Sequence, residues 1–234
     1  MLLAGGLATR MRPLTDTLPK ALIEVGGRPF VDIQLERLAR EGVTDVVLSI
    51  GYRGEAIRAY VGRGERWNLA CNFVDEGTNL RGTAGALRLA LEQGVLQESF
   101  LVLYGDSYLL ADFRAVWGRF LSSSKPAMMT VFKNLGQWDR SNVVFEKDEI
   151  SLYDKFASPQ VRQGMQYIDY GLSAFRRSCI EANVPTGVKH DLADLFKALS
   201  QRGELSGLEV FSRFYEIGSP AGLEELRHFL GSGG

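Results

Sequence analysis

Arg10 and Lys20 bring fixed positive charge to an amino-terminal stretch in which no carboxylate lies between Met1 and Thr15. The stretch opens on a short apolar run, Leu2 to Ala4, which reads as a buried strand and ends in the glycine pair Gly5-Gly6. Paired glycines let the backbone pass close to a ligand and point successive N–H groups at one anion. A strand, a glycine turn and two cations without a local counter-charge predict a polyphosphate site. The pattern is not the dinucleotide fingerprint, because Gly5-Gly6-Leu7-Ala8-Thr9-Arg10 lacks the third glycine at its spacing. Nor is it a Walker loop, because no Gly-Lys-Ser/Thr follows.

Two acids could share that site. Asp106, in Tyr104-Gly105-Asp106-Ser107, follows an apolar run, and Glu76 follows another. Magnesium prefers one or two carboxylates together with substrate phosphates and water, although an aspartate after a glycine is also an ordinary turn residue. Ligands in open α/β sheets bind beyond the carboxyl ends of the strands, so Gly5-Gly6, Glu76 and Asp106 are expected on one rim.

The elements that must place these residues can be read from periodicity. Arg28 to Glu41 carries a helical apolar stripe (Phe30, Val31, Ile33, Leu35, Leu38, Ala39) stopped by Gly42. Val46 to Ile50, Leu69 to Val74 and Phe100 to Tyr104 read as strands, alternating with helices over Gly54 to Tyr60 and Ala84 to Leu91. Such alternation predicts a mostly parallel sheet covered on both faces. In the second half, 127–132, 142–145, 150–156 and 167–175 are strand-like, helices follow at 191–201 and 223–230, and antiparallel additions are expected.

At 234 residues the chain can bury a full core, and its 45% hydrophobic and 24% charged content are those of a soluble globular protein. A net charge of −1 argues against a nucleic-acid partner, and no apolar run reaches membrane-spanning length. Cys71 and Cys179 show no pairing pattern and read as buried thiols of a cytoplasmic protein.

Leu3 to Gly6, Thr9-Arg10, Pro13-Leu14-Thr15 and Pro19-Lys20 closely resemble the signature of the sugar-1-phosphate nucleotidyltransferases. That signature runs Leu-Ala-Gly-Gly-x-Gly-Thr-Arg-x-x-Pro-Leu-Thr, with Pro-Lys a few residues later, and Ala8 stands where it has its last glycine. The resemblance implies that Leu3, Ala4, Gly5, Gly6 and Thr9 bind a nucleotide. It also implies that Arg10 faces the leaving pyrophosphate and that Lys20 faces the phosphates at the reacting centre. Asp106 would be a magnesium ligand, as the family's Gly-Asp is. The second ligand would be Glu216, in Glu216-Ile217-Gly218-Ser219-Pro220, where the family has Asp-Ile-Gly-Thr-Pro.

Asp75 to Gly85 resembles the base-recognition loop, with Arg81 as one extra residue, and places Glu76, Gly82 and Thr83 on the nucleotide. Guanine presents a ring N–H beside an exocyclic amine, two donors that one carboxylate accepts together, so Glu76 favours GTP. Asp154-Lys155 resembles the family's Glu-Lys-Pro, whose lysine grips the sugar phosphate, with Phe156 in place of the proline. Asp169-Tyr170-Gly171 stands where many members have Asn-x-Gly on the sugar hydroxyls, and Gly105 is assigned to the same substrate. Asp191 reads as a helix N-cap.

The resemblance runs from Leu3 to about Leu230 and implies an α/β fold, a Rossmann-like three-layer sandwich with a mixed, mostly parallel central sheet. One domain over 1–230 is expected, with a nucleotide-binding half (1–110), a sugar-binding half (111–230) and a flexible tail at 231–234. The implied reaction moves a nucleotidyl group from a nucleoside triphosphate to a sugar 1-phosphate with Mg2+. The guanylyltransferases acting on heptose or mannose 1-phosphate are the nearest pattern. A uridylyltransferase acting on an amino-sugar phosphate, a regulatory nucleotide-sugar binder and a nicotinamide-dependent oxidoreductase are the alternatives. Related enzymes often pair as homodimers.

Overall fold

The computed structural model describes residues 1–232. The first elements are β1 (Leu2–Leu3), β2 (Glu24–Val25), β3 (Arg28–Pro29), α1 (Phe30–Arg40), β4 (Asp45–Ile50), α2 (Gly54–Val61) and β5 (Ala70–Asp75). Next come α3 (Gly82–Glu92), β6 (Ser99–Tyr104), β7 (Ser107–Tyr108), α4 (Phe113–Ser122), β8 (Ala127–Lys133), β9 (Val143–Glu146) and β10 (Glu149–Tyr153). The last are α5 (Pro159–Arg162), β11 (Tyr167–Arg176), α6 (Arg177–Asn183), α7 (Leu192–Gln201), β12 (Leu205–Val210), β13 (Tyr215–Glu216) and α8 (Pro220–Gly231). The fold is mixed α/β with a mixed sheet, as expected. The chain divides into two compact units, one of residues 1–80, 103–108 and 214–234 and one of residues 81–102 and 109–213.

In the first unit the strands run β5-β4-β1-β6, all parallel, with Leu2 opposite both Leu48 and Leu103. Val46 to Ile50 of β4 are buried without a break, the pattern of a parallel strand covered on both faces. A second core joins Met11, Ile23, Val25, Phe30, Ile33, Ile217, Leu223 and Leu226. Met11 and Ile217 follow Arg10 and Glu216 directly, so burying the apolar residue fixes where its charged neighbour emerges. Full burial of one such side chain contributes about 1.5–3 kcal/mol. Ser219 caps α8 by accepting from the Gly222 N–H, with Pro220 in the first turn. The helix runs through Gly231, and of the expected tail, residues 233–234 lie outside the described residues.

In the second unit β11, β8, β12, β10 and β9 pair in that order, and β9 pairs back onto β11 to close the circuit. The β8–β12 pair is parallel, and the pairs β11–β8, β10–β12, β9–β10 and β9–β11 are antiparallel. The strand expected over 150–156 ends at Tyr153, where Asp154 turns to donate its N–H to the Asn142 carbonyl at 2.9 Å. Tyr153 stands edge-on to Phe196 with centroids 5.5 Å apart, and Phe196 stacks on Phe175 at 5.6 Å. Among the described residues no helix is long and apolar enough to cross a membrane.

Candidate active site

Because β1, β5 and β6 run parallel, Ala4-Gly5-Gly6, Glu76 and Gly105-Asp106 leave their strands on one edge of the first unit, as the sequence predicts. Gly5 is buried against the next loop: a Cβ there would stand 2.8 Å from Glu76 Oε1 and 3.2 Å from the Ile50 carbonyl carbon. Glu76 accepts from the Ser49 hydroxyl at 2.9 Å, so its carboxylate is held against the glycine turn. Gly6 is exposed, with open space on its Cβ side.

Ala8 sits in the left-handed region, φ 49° and ψ 40°. Glycine adopts this conformation without a Cβ penalty, and glycine is what the resembled signature has at this position. Its carbonyl accepts from the Met11 N–H at 3.0 Å and the Thr15 hydroxyl at 2.9 Å, which closes the loop. A 3-10 turn over Thr9–Met11 then exposes Thr9 and Arg10 while it buries Met11. Lys20 opens another such turn, fixed by buried Ala21 and Ile23, and its Nζ lies 2.6 Å from Asp106 Oδ2.

Glu216 reaches the same place from the far end of the sequence. It pairs with Ser107 in the β7–β13 ladder, and the Ile217 N–H donates to the Asp106 carbonyl at 2.8 Å. Its carboxylate accepts from the Gly218 N–H at 3.0 Å through Oε2 and from the Ser219 hydroxyl at 2.8 Å through Oε1. Gly218 is where the charges meet. A Cβ built there would collide with Glu216 Oε2, and would stand 3.1 Å from the Arg10 guanidinium and 3.2 Å from Asp106 Oδ2. Arg10, Asp106 and Glu216 therefore surround one point, with Lys20 on Asp106.

The remaining candidates belong to the second unit. Gly82, with φ +74°, opens α3, and Thr83 follows it beside Asp191. Asp191 occupies the N-cap position of α7, yet its carboxylate accepts from the Thr83 N–H of α3 at 3.1 Å. The Thr83 hydroxyl in turn accepts from the Leu192 N–H at 2.7 Å, so each helix start is capped by the other's residue. Asp154 is ion-paired to Lys197 at 2.7 Å, and this bond, with the Phe156 N–H, holds its carboxyl below the usual range. Lys155 is exposed, Asp169 accepts from the Gly171 N–H at 2.9 Å, and Gly171 has φ +99°.

Residue-by-residue reading left out Ser49 and the crowded Gly218. The signal for Gly218 was its place two residues after Glu216; Ser49 lies inside β4, one residue before its end, and carries no signal of its own.

Known proteins supply an independent comparison. The family model described as nucleotidyl transferase matches residues 1–220. The chain is 30% identical over 225 residues to a mannose-1-phosphate guanyltransferase of Debaryomyces hansenii and 32% identical over 231 residues to one of Candida albicans. Each alignment covers 94% of this chain, which spans 61% of the length of those relatives. A crystal structure of a putative glucose-1-phosphate thymidylyltransferase from Bacillus anthracis shares the fold, with a TM-score of 0.83 at 19% identity over 97% of this chain and 93% of that one. With the family model spanning nearly all the secondary structure, including every strand-end loop described above, the chain belongs to the nucleotidyl transferase family.

Proposed function

We propose that this chain transfers a guanylyl group from GTP to a hexose 1-phosphate, mannose 1-phosphate first among them, and releases pyrophosphate. The observation that carries it is the convergence of Arg10, Asp106 and Glu216 on Gly218, with Lys20 on Asp106 and Glu76 against Gly5. The names of the relatives at 30% and 32% identity support the guanine base and the mannose acceptor.

A phosphate oxygen of the sugar 1-phosphate forms the new bond to the α-phosphorus as the bond to the β-phosphate oxygen breaks in line. Such a transfer needs positioning and charge neutralisation rather than a protein nucleophile. Arg10, exposed beside the glycine turn, is assigned to the charge building on the leaving pyrophosphate. An ammonium has three donors, so Lys20 can keep one on Asp106 and turn the others to the phosphates. The open backbone at Gly6 allows close approach of the triphosphate, and Glu76 accepts the paired donors of guanine. Lys155, exposed in the second unit, is assigned to the sugar phosphate from the resemblance, and Asp154, Asp169 and Gly171 of the same unit to the same substrate.

Asp106 and Glu216 fit a magnesium ion by donor chemistry: two carboxylates meet at one point, and each oxygen of Glu216 keeps a lone pair beyond its present bond. Among the described residues there is no cluster of three or more potential ligands, so substrate phosphates and water would complete the shell. Bound there, magnesium supplies charge neutralisation and a template for the phosphates.

The test is a grid of the four triphosphates against mannose, glucose, heptose and N-acetylglucosamine 1-phosphates, scored by pyrophosphate release. GTP with mannose 1-phosphate is expected to turn over fastest. Preference for UTP with the amino sugar would replace this proposal, and no release in any cell would end it.

A further inference from the structure

Gln34 lies on the buried face of α1 and is 2% exposed. Its side-chain amide donates to two backbone carbonyls, Tyr104 O at 3.3 Å and Ser107 O at 2.9 Å. Those carbonyls flank the Gly105-Asp106 turn. Both partners can only accept, so the NH2 group must face them, and Gln34 Oε1 is left buried without a hydrogen-bond partner among the described residues. Ile33 and Leu35 on either side are buried and apolar, and an apolar residue at 34 would remove the orphaned Oε1 at the cost of the donor that both carbonyls receive. A buried polar group retained against that penalty points to work done by its donors.

We propose that Gln34 is a positioning residue: it clamps the backbone on both sides of Asp106 and so aims the carboxylate at the point where Arg10 and Glu216 converge. Two other bonds hold the turn. The Gly105 N–H donates to Leu3 O at 2.9 Å, and Asp106 O accepts from the Ile217 N–H at 2.8 Å. These tie the turn to β1 and to the segment after β13. Gln34 supplies a third anchor from α1, whose Phe30 and Ile33 share a core with Ile217. The turn is thereby fixed from three elements, and the direction of the Asp106 side chain follows from backbone the clamp holds still. A displacement of about 1 Å at a reacting group is enough to lose about a hundredfold in rate.

Asp106 takes its role from the proposed guanylyl transfer, so the function of the clamp rests on that reading. Gln34→Met keeps the length and removes both donors; Gln34→Asn keeps the amide but withdraws it by one methylene, and serves if the first variant does not fold. Four readouts are compared with the parental chain: thermal melting, hydrogen exchange of the 104–108 segment, steady-state rates, and calorimetric GTP binding in chelator and in magnesium. The folded variant is expected to exchange the turn amides about tenfold faster. It should lose about 10- to 100-fold in kcat with KM for GTP within about twofold. GTP binding in chelator should match the parental value while the gain conferred by magnesium shrinks. A folded variant with parental exchange, kcat and magnesium gain overturns the clamp and leaves the transferase reading standing. A parental chain that neither binds GTP nor releases pyrophosphate overturns the transferase reading, and the positioning role falls with it.

Discussion

Lys20 Nζ lies 2.6 Å from Asp106 Oδ2, with the two side chains 20% and 23% exposed. A partly buried ion pair of this kind adds little stability as a surface bridge, and breaking it leaves an uncompensated charge beside two further ionised groups. The pair therefore makes more sense as a poised charge arrangement than as a staple.

Lys20→Ala is expected to lower kcat/KM by about 3 kcal/mol in transition-state terms, roughly a hundredfold or more. Steady-state pyrophosphate release checks it. Parental turnover would remove Lys20 from the mechanism.

Gly218→Ala should disable the site with a modest effect on folding. The added methyl group strikes Glu216 Oε2 and crowds Arg10 and Asp106, all of which are side-chain atoms that can move aside and so lose their common focus. A loss of about a hundredfold in rate with the melting midpoint within a few degrees is expected. Retained activity would show that the three groups need not converge.

Ala8→Gly tests the loop itself. With φ at 49°, Ala8 carries the left-handed penalty that glycine escapes, offset by the greater chain entropy of glycine when unfolded. A gain of about 0.5–1 kcal/mol, measured as a rise of a few degrees in melting midpoint, is expected. A fall would mean that the loop tolerates the methyl group without strain.

Glu76→Gln should erode the preference for guanine, because an amide offers one acceptor and one donor face where the carboxylate offers two acceptors. The ratio of kcat/KM for GTP over UTP is expected to fall about tenfold or more. An unchanged ratio would place base recognition elsewhere.

The two thiols make a pH prediction. Burial pushes Cys71 and Cys179 each up to about 11, so both stay neutral in the folded chain at ordinary pH. A thiol raised above its unfolded value of about 8.5 contributes stability that is complete below that value and is lost as pH rises toward the folded one. Native protein at pH 8 is expected to resist alkylation and to release both thiols on denaturation, and stability should decline between about pH 8.5 and 11. Rapid alkylation of the folded chain would contradict this.

Much of the fold was legible because parallel strands announce themselves as unbroken apolar runs, as Val46 to Ile50 does, and α1 as a stripe closed by Gly42. Helix α4 escaped notice although its signals are present: Asp112 caps it by accepting from Ala115, and Phe113, Val116 and Phe120 are its buried residues. The pair β7–β13 could not be read, because two-residue strands carry no periodicity. Nor could the crossed caps of Thr83 and Asp191, which are joined across 108 positions.

From the residues alone came the expectation of a phosphate site at the amino terminus, since glycines, Arg10 and Lys20 are neighbours in the chain and need no fold to be seen together. The resemblance implied that Asp106 and Glu216 work together; tertiary structure decided that Arg10 meets them at one point, that Lys20 rests on Asp106, and that Gln34 reaches both carbonyls around that aspartate. The reason is physical: local chemistry is written in adjacent residues, whereas a focus of charge depends on strand order and on which apolar neighbours are buried to aim each side chain.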